Sequence, residues 1–127
     1  MVKTLLLSNQ KIYELAVNAI NNFHGDIKFP AKAMFYLQKN INLITELGKE
    51  IDNARTRVLE HYGKITEDGN TYHIPKENLA EAQKELNDLL ALEQEVKIYT
   101  VKLDWLGDVE LTPTQMAVLE IMIEEEV

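Results

Sequence analysis

The chain has 127 residues, no cysteine and a formal net charge of −8 at pH 7. That length builds one domain, residues 1–127, with a modest core, and the absent thiols exclude a disulfide framework and any cysteine nucleophile or cysteine-based metal site. No run of eighteen apolar residues occurs, so no helical membrane span is expected.

The acidity is uneven. From Asp104 onward the chain carries Asp104, Asp108, Glu110, Glu120, Glu124, Glu125 and Glu126 with no Lys or Arg, which leaves residues 1–103 close to neutral. Such an end reads as a solvated acidic segment that disfavours phosphate backbones. Docking onto a basic partner surface, or DNA mimicry, is the sharper alternative.

In chain order, Val2 to Leu7 is rich in branched aliphatics and predicts a strand; the apolar run stops at Ser8, too short for a signal-peptide core. Ser8 caps the next helix, whose inner face is Ile12, Leu15, Ala16, Ala19, Ile20 and Phe23, and His24-Gly25 marks its end. Ile27-Lys28-Phe29-Pro30 is an extended link. From Ala31 to Tyr62 there is no proline, and apolar residues keep helical spacing throughout. Leu37, Ile44, Ile51 and Val58 recur every seven residues, flanked by Ile41, Leu47, Ala54 and Tyr62. A helix of that length is roughly 48 Å long and needs partners along its whole face.

Asp68-Gly69, between two short β-prone arms, predicts a hairpin. Pro75 restarts a helix with the stripe Leu79, Ala82, Leu86, Leu89 and Leu90, which returns along the long helix as an antiparallel hairpin. This shorter arm covers only the distal half of the long helix. The proximal half is left for other elements or for a second subunit. Glu95 to Val101 predicts a strand beside Val2–Leu7, Trp105 sits in the turn after it, and Thr112-Pro113-Thr114-Gln115 opens a last helix as a capping box.

The chemistry-bearing residues are few. His24, His61 and His73 lack metal-ligand spacing, although His61 and His73 could meet near the hairpin. There is no glycine-rich phosphate cradle, and the only serine, Ser8, has a capping role. The lysines are interleaved with acids, and no face gathers positive charge with aromatics between, so nucleic acid is not expected as a partner. Arg55, near the apolar stripe, could hold an anion; Arg57, Lys97 and Lys102 complete the candidate ligand-binding cations. Leu37, Ile41 and Ile44 on the proximal half of the long helix, with Trp105 as an anchor, form the candidate protein interface.

The helix end Ala54-Arg55 through Leu59-Glu60-His61-Tyr62-Gly63, the turn Glu67-Asp68-Gly69, Pro75-Lys76-Glu77-Asn78, Glu85-Leu86-Asn87-Asp88-Leu89-Leu90, Glu95-Val96-Lys97-Ile98 and Leu111-Thr112 with Met122-Ile123 follow one another in a familiar order. Over its C-terminal two-thirds the chain resembles a family of small, functionally uncharacterised proteins of tailed bacteriophages and prophages. The resemblance implies a phage origin, in the cytoplasm of the bacterial host or in the virion, and supplies no active site.

The expected fold is therefore α+β and mostly helical: a long antiparallel helical hairpin with a β-hairpin tip, a small two- or three-stranded sheet and two flanking helices. The expected function is non-enzymatic, without cofactor or metal. It acts by protein–protein contact with itself as a homo-oligomer and with a phage or host protein, as a virion or assembly accessory or a binder of a host protein. The alternative is a small-molecule binder that sequesters a nucleotide signal and so counters a host defence.

Overall fold

The computed structural model describes residues 1–23 and 28–124. The fold is α+β and mostly helical, in the order β1 (Val2–Ser8), α1 (Asn9–Asn22), α2 (Ala31–Tyr62), β2 (Lys64–Ile65), β3 (Tyr72–His73), α3 (Leu79–Ala91), β4 (Glu93–Tyr99) and α4 (Pro113–Leu119). Single 3₁₀ turns precede α3, follow β4 and extend α4 to Met122.

Local chemistry sets most boundaries. The Ser8 hydroxyl accepts from the Lys11 N–H and starts α1. Thr112 and Gln115 exchange side-chain and backbone hydrogen bonds at the start of α4. Gly69 closes the β2–β3 hairpin at φ +74°, a conformation that glycine adopts without steric penalty. The first helix stops at Asn22, with Phe23 as its cap and Ile20 exposed on its outer side. The predicted stop at His24-Gly25, the start of the link at Ile27, and Glu125-Glu126 lie outside the described residues.

β1 and β4 pair antiparallel in the register Val2↔Tyr99 to Ser8↔Glu93. Burial alternates along both strands: Leu5, Leu7, Val96 and Ile98 face the core, while Val2, Thr4, Leu6, Glu95 and Lys97 face outward. The second strand begins and ends two residues earlier than its sequence suggests. Val101 instead leaves the ladder to form a parallel bridge with Ile123, taking the Met122 carbonyl and giving its own to Glu124 N–H, both at 2.8 Å.

The core joins Ile12, Leu15, Ala16 and Ala19 of α1, Ala33, Leu37, Ile44 and Ile51 of α2, Val96 and Ile98 of β4, and Val118, Leu119 and Met122. α1 lies along α2, with Ala16 against Gly48. This corrects one sequence expectation. The proximal half of α2 is covered within the chain, and Leu37 and Ile44 are each 1 % exposed. They are core residues rather than an interface. Periodicity showed that this stripe needed cover without showing that α1 and β4 supply it. Distally the cover thins: past Ile51 no residue of α2 is fully buried, and Ala82 is the only fully buried residue of α3.

Candidate functional site: an aromatic and lysine face

One surface of α2 carries Lys32, Phe35, Tyr36 and Lys39 at helical spacing, beside the stripe that enters the core. Tyr36 is the hub of this surface. Its ring meets Phe35 edge-on at 5.3 Å, Tyr99 of β4 at 5.3 Å, and Trp105 of the following 3₁₀ turn at 6.3 Å in a near-parallel stack. Lys32 Nζ lies 4.0 Å from the Trp105 ring centre, and Lys39 Nζ lies 4.9 Å from Phe35 and 5.5 Å from Tyr99. These are cation–π distances. Phe35 is 58 % exposed and Lys32 and Lys39 are exposed beside it, while Tyr36 and Trp105 are half-buried against the core.

The scaffold beneath it is polar and rigid. Asn40, one turn on from Tyr36, is buried and makes two bonds to the free edge of β4. Its amide donates to the Tyr99 carbonyl at 2.7 Å and its oxygen accepts the Tyr99 N–H at 2.8 Å. The side chain thus acts as a one-residue strand partner and locks β4 against α2.

The predicted cations divide. Lys97 stands two residues before Tyr99 on the same outward face of β4, together with Glu95, and Lys102 leads into the Trp105 turn, which also carries Asp104. Arg55 pairs with Asp52 at 3.1 Å and packs its guanidinium 5.4 Å from the Tyr13 ring. It lies fifteen residues beyond Asn40 on α2, roughly 22 Å along the axis, and Arg57 lies farther still, so the four do not converge. Of the candidate interface residues, Trp105 belongs to this face, Ile41 is half-buried against the core, and Leu37 and Ile44 are inside it. Lys32 and Lys39 meet aromatic rings here, a grouping that the linear reading did not single out. Lys32, Lys39, Lys97 and Lys102 come from three segments, and the signal visible beforehand was the Lys32/Phe35/Tyr36/Lys39 stripe.

A second concavity lies at the distal tip. A cleft of about 510 Å³ is lined by Glu60, His61, Tyr62, Gly63, Lys64, His73, Pro75 and Asn78. It brings His61 and His73 to one place, as the hairpin suggested, but both are exposed and the cleft is open. Tyr62 donates to Glu85 Oε1 at 2.7 Å, and that bond, with smaller contributions from desolvation and the charges of Glu85 and Glu81, pushes its pKa up to about 12. Desolvation, then the charge of Glu60 and a bond to it, raises Tyr72. Bonds from the Thr66 hydroxyl and the Asn70 N–H lower Asp68. These groups tie the tip together. Among the described residues no group of three or more acidic or histidine side chains is placed to hold a metal ion, and no helix is long and apolar enough to cross a membrane.

With this geometry in view, comparison with protein-family models, curated proteins and solved structures finds no match for the chain.

Proposed function

We propose that the chain is a non-enzymatic interaction protein of a tailed bacteriophage, and that its aromatic and lysine face holds an acidic segment of another protein, of the phage or of its host. The observation that carries this reading is the seating of Lys32 and Lys39 on aromatic rings. An ammonium fixed over a ring keeps N–H groups directed outward for a carboxylate, while Phe35, Tyr36 and Tyr99 offer rigid apolar area beside it. Lys32 and Lys39, seated on the rings of a chain that is acidic as a whole, also offer an acidic partner a pair of cations to approach.

Single-stranded nucleic acid uses the same residue types, but it needs free ring faces for its bases. Here Trp105 has Lys32 on its ring and Tyr36 stacked beside it. A nucleotide signal draws less support, because Arg55 and Arg57 lie away from Lys97 and Lys102.

The test is affinity capture from phage-infected cells with the wild-type chain and a Lys32→Glu/Lys39→Glu variant, partners being identified by mass spectrometry. The reading expects an acidic protein that elutes with salt and is lost with the variant. Equal capture by both chains, or retention of a thymine oligonucleotide in place of protein, would overturn it.

A further inference from the structure

The two edges of the main sheet are unlike. In an antiparallel ladder, successive residues direct their backbone groups alternately to one side and the other. Thr100 N–H bonds the Met1 carbonyl and Asn9 N–H bonds the Leu92 carbonyl, both at 2.8 Å, so the odd-numbered residues of β1 face β4. The N–H and C=O groups of Val2, Thr4 and Leu6 therefore point away from the sheet. Among the described residues nothing bonds them.

The opposite edge, on β4, is closed. Asn40 takes both groups of Tyr99, Met122 and Glu124 take those of Val101, and the rest of the edge carries Glu93, Glu95 and Lys97. Charge and plugging are the usual means of keeping an edge from pairing. β1 has neither on its outer edge. Val2 and Leu6 are instead 58 % and 63 % exposed, on the same outward face.

We infer that two copies of the chain pair antiparallel through β1, about a two-fold axis at Thr4, into one continuous sheet in the order β4–β1–β1–β4. A row of free backbone groups selects an extended strand as occupant, and the side chains select a second β1. In that register Val2 faces Leu6 of the other copy, Thr4 faces Thr4, and Leu6 faces Val2. All three outward residues find a partner, and each strand's three free N–H and C=O pairs are satisfied. A shift of two residues one way pairs Val2 with Thr4 and leaves Leu6 without a partner, and a shift the other way sets Leu6 against Thr4 and Val2 against the polar Ser8, so only this register puts the two exposed apolar side chains against each other. Charge points to the same place. Two copies at −8 repel, and Val2–Leu7 contains one charge, Lys3, which this register sets opposite Leu5 rather than another lysine.

The dyad stands perpendicular to the sheet, so both outward faces lie on one side. Tyr99 is the cross-strand neighbour of Val2, and the pairing places the two aromatic and lysine faces on a common surface, with their β4 strands roughly 14 Å apart. One extended acidic partner, or two acidic segments of an assembly, then gains avidity from both.

The full chain is tested by native mass spectrometry and by sedimentation over a dilution series, with variants at the edge. The wild type is expected at twice 14.6 kDa. Leu6→Lys places a charge at an already exposed position and should give a monomer with an unchanged circular dichroism spectrum. Thr4→Cys introduces the chain's sole thiol opposite its own copy at a hydrogen-bonded pair, with Cα atoms about 5.5 Å apart, and should be joined to a covalent dimer by a short bismaleimide. Leu43→Cys, at an exposed site on α2, should not. A monomeric wild type overturns the inference. So does a dimer that survives Leu6→Lys, or a Leu43→Cys chain that cross-links as readily as Thr4→Cys.

Discussion

The fold depends on one polar residue more than its sequence suggests. Asn40 is 1 % exposed within a stripe whose other members are mostly aliphatic or small, and both ends of its amide are engaged with the backbone of Tyr99. Removal leaves a strand N–H and C=O without partners at a buried position, at about 1–3 kcal/mol for each group. Asn40→Ala is accordingly expected to lower the unfolding free energy by about 2–4 kcal/mol in urea titration. It should also loosen the base of the aromatic cluster, because Tyr99 is held by the same bonds. Nothing in the linear pattern set Asn40 apart from Asn42 or Asn53, which are exposed on the same helix. An asparagine becomes a strand mimic only when a sheet edge arrives beside it.

At the scale of elements, α1 and α2 approach each other closely. A Cβ added at Gly48 would stand 2.5 Å from Ala16 Cβ. Intrinsic propensity favours alanine over glycine in a helix by about 1 kcal/mol, so on α2 alone Gly48→Ala would stabilise. Packing reverses the sign. The overlap forces the helices apart along a core seam, and overpacking of this kind costs about 1–3 kcal/mol. Thermal or urea unfolding should show Gly48→Ala destabilised, and Ala16→Gly introduced into that variant should recover most of the loss. In the sequence Gly48 is only a glycine that does not break the helix; its purpose is visible once α1 lies against it. The helix itself was legible from Ala31 to Tyr62, because proline-free periodicity over nine turns admits no other regular structure. The Asp68-Gly69 hairpin and the Thr112 cap were legible for the same local reason.

At the scale of the molecule, the core is concentrated around the proximal half of α2, and the distal half combines half-buried apolar residues with polar bonds. Tyr62 to Glu85 ties the end of α2 to α3, and Asn78 donates to the Tyr62 carbonyl at 3.1 Å. The phenol of Tyr62 holds its proton to about pH 12, against an ordinary value of 10.0. Below pH 10 it is protonated in the folded and unfolded chains alike, and the contribution of the bond is complete. Between those values only the unfolded chain releases the proton, so stability falls as pH rises. Alkaline unfolding should therefore show a loss over this interval that Tyr62→Phe lacks, and ultraviolet titration should place the Tyr62 transition above that of free tyrosine.

What the sequence determined by itself was local: the elements, most of their ends, and the mostly helical α+β class. Hydrophobic period, caps and turn residues act between neighbours in the chain, and neighbours are visible in a linear text. The tertiary structure decided which faces are inside. It buried Leu37 and Ile44 under α1 and β4, which removed them from any interface, and it left Arg55 beside Asp52 and Tyr13. It also gathered Lys32, Phe35, Tyr36 and Lys39 with Tyr99 and Trp105, residues some sixty positions apart in sequence. The physical reason is that such surfaces are made by the docking of α2 against the edge of β4. That docking is fixed by shape and by the hydrogen bonds of Asn40, neither of which has a period in the sequence.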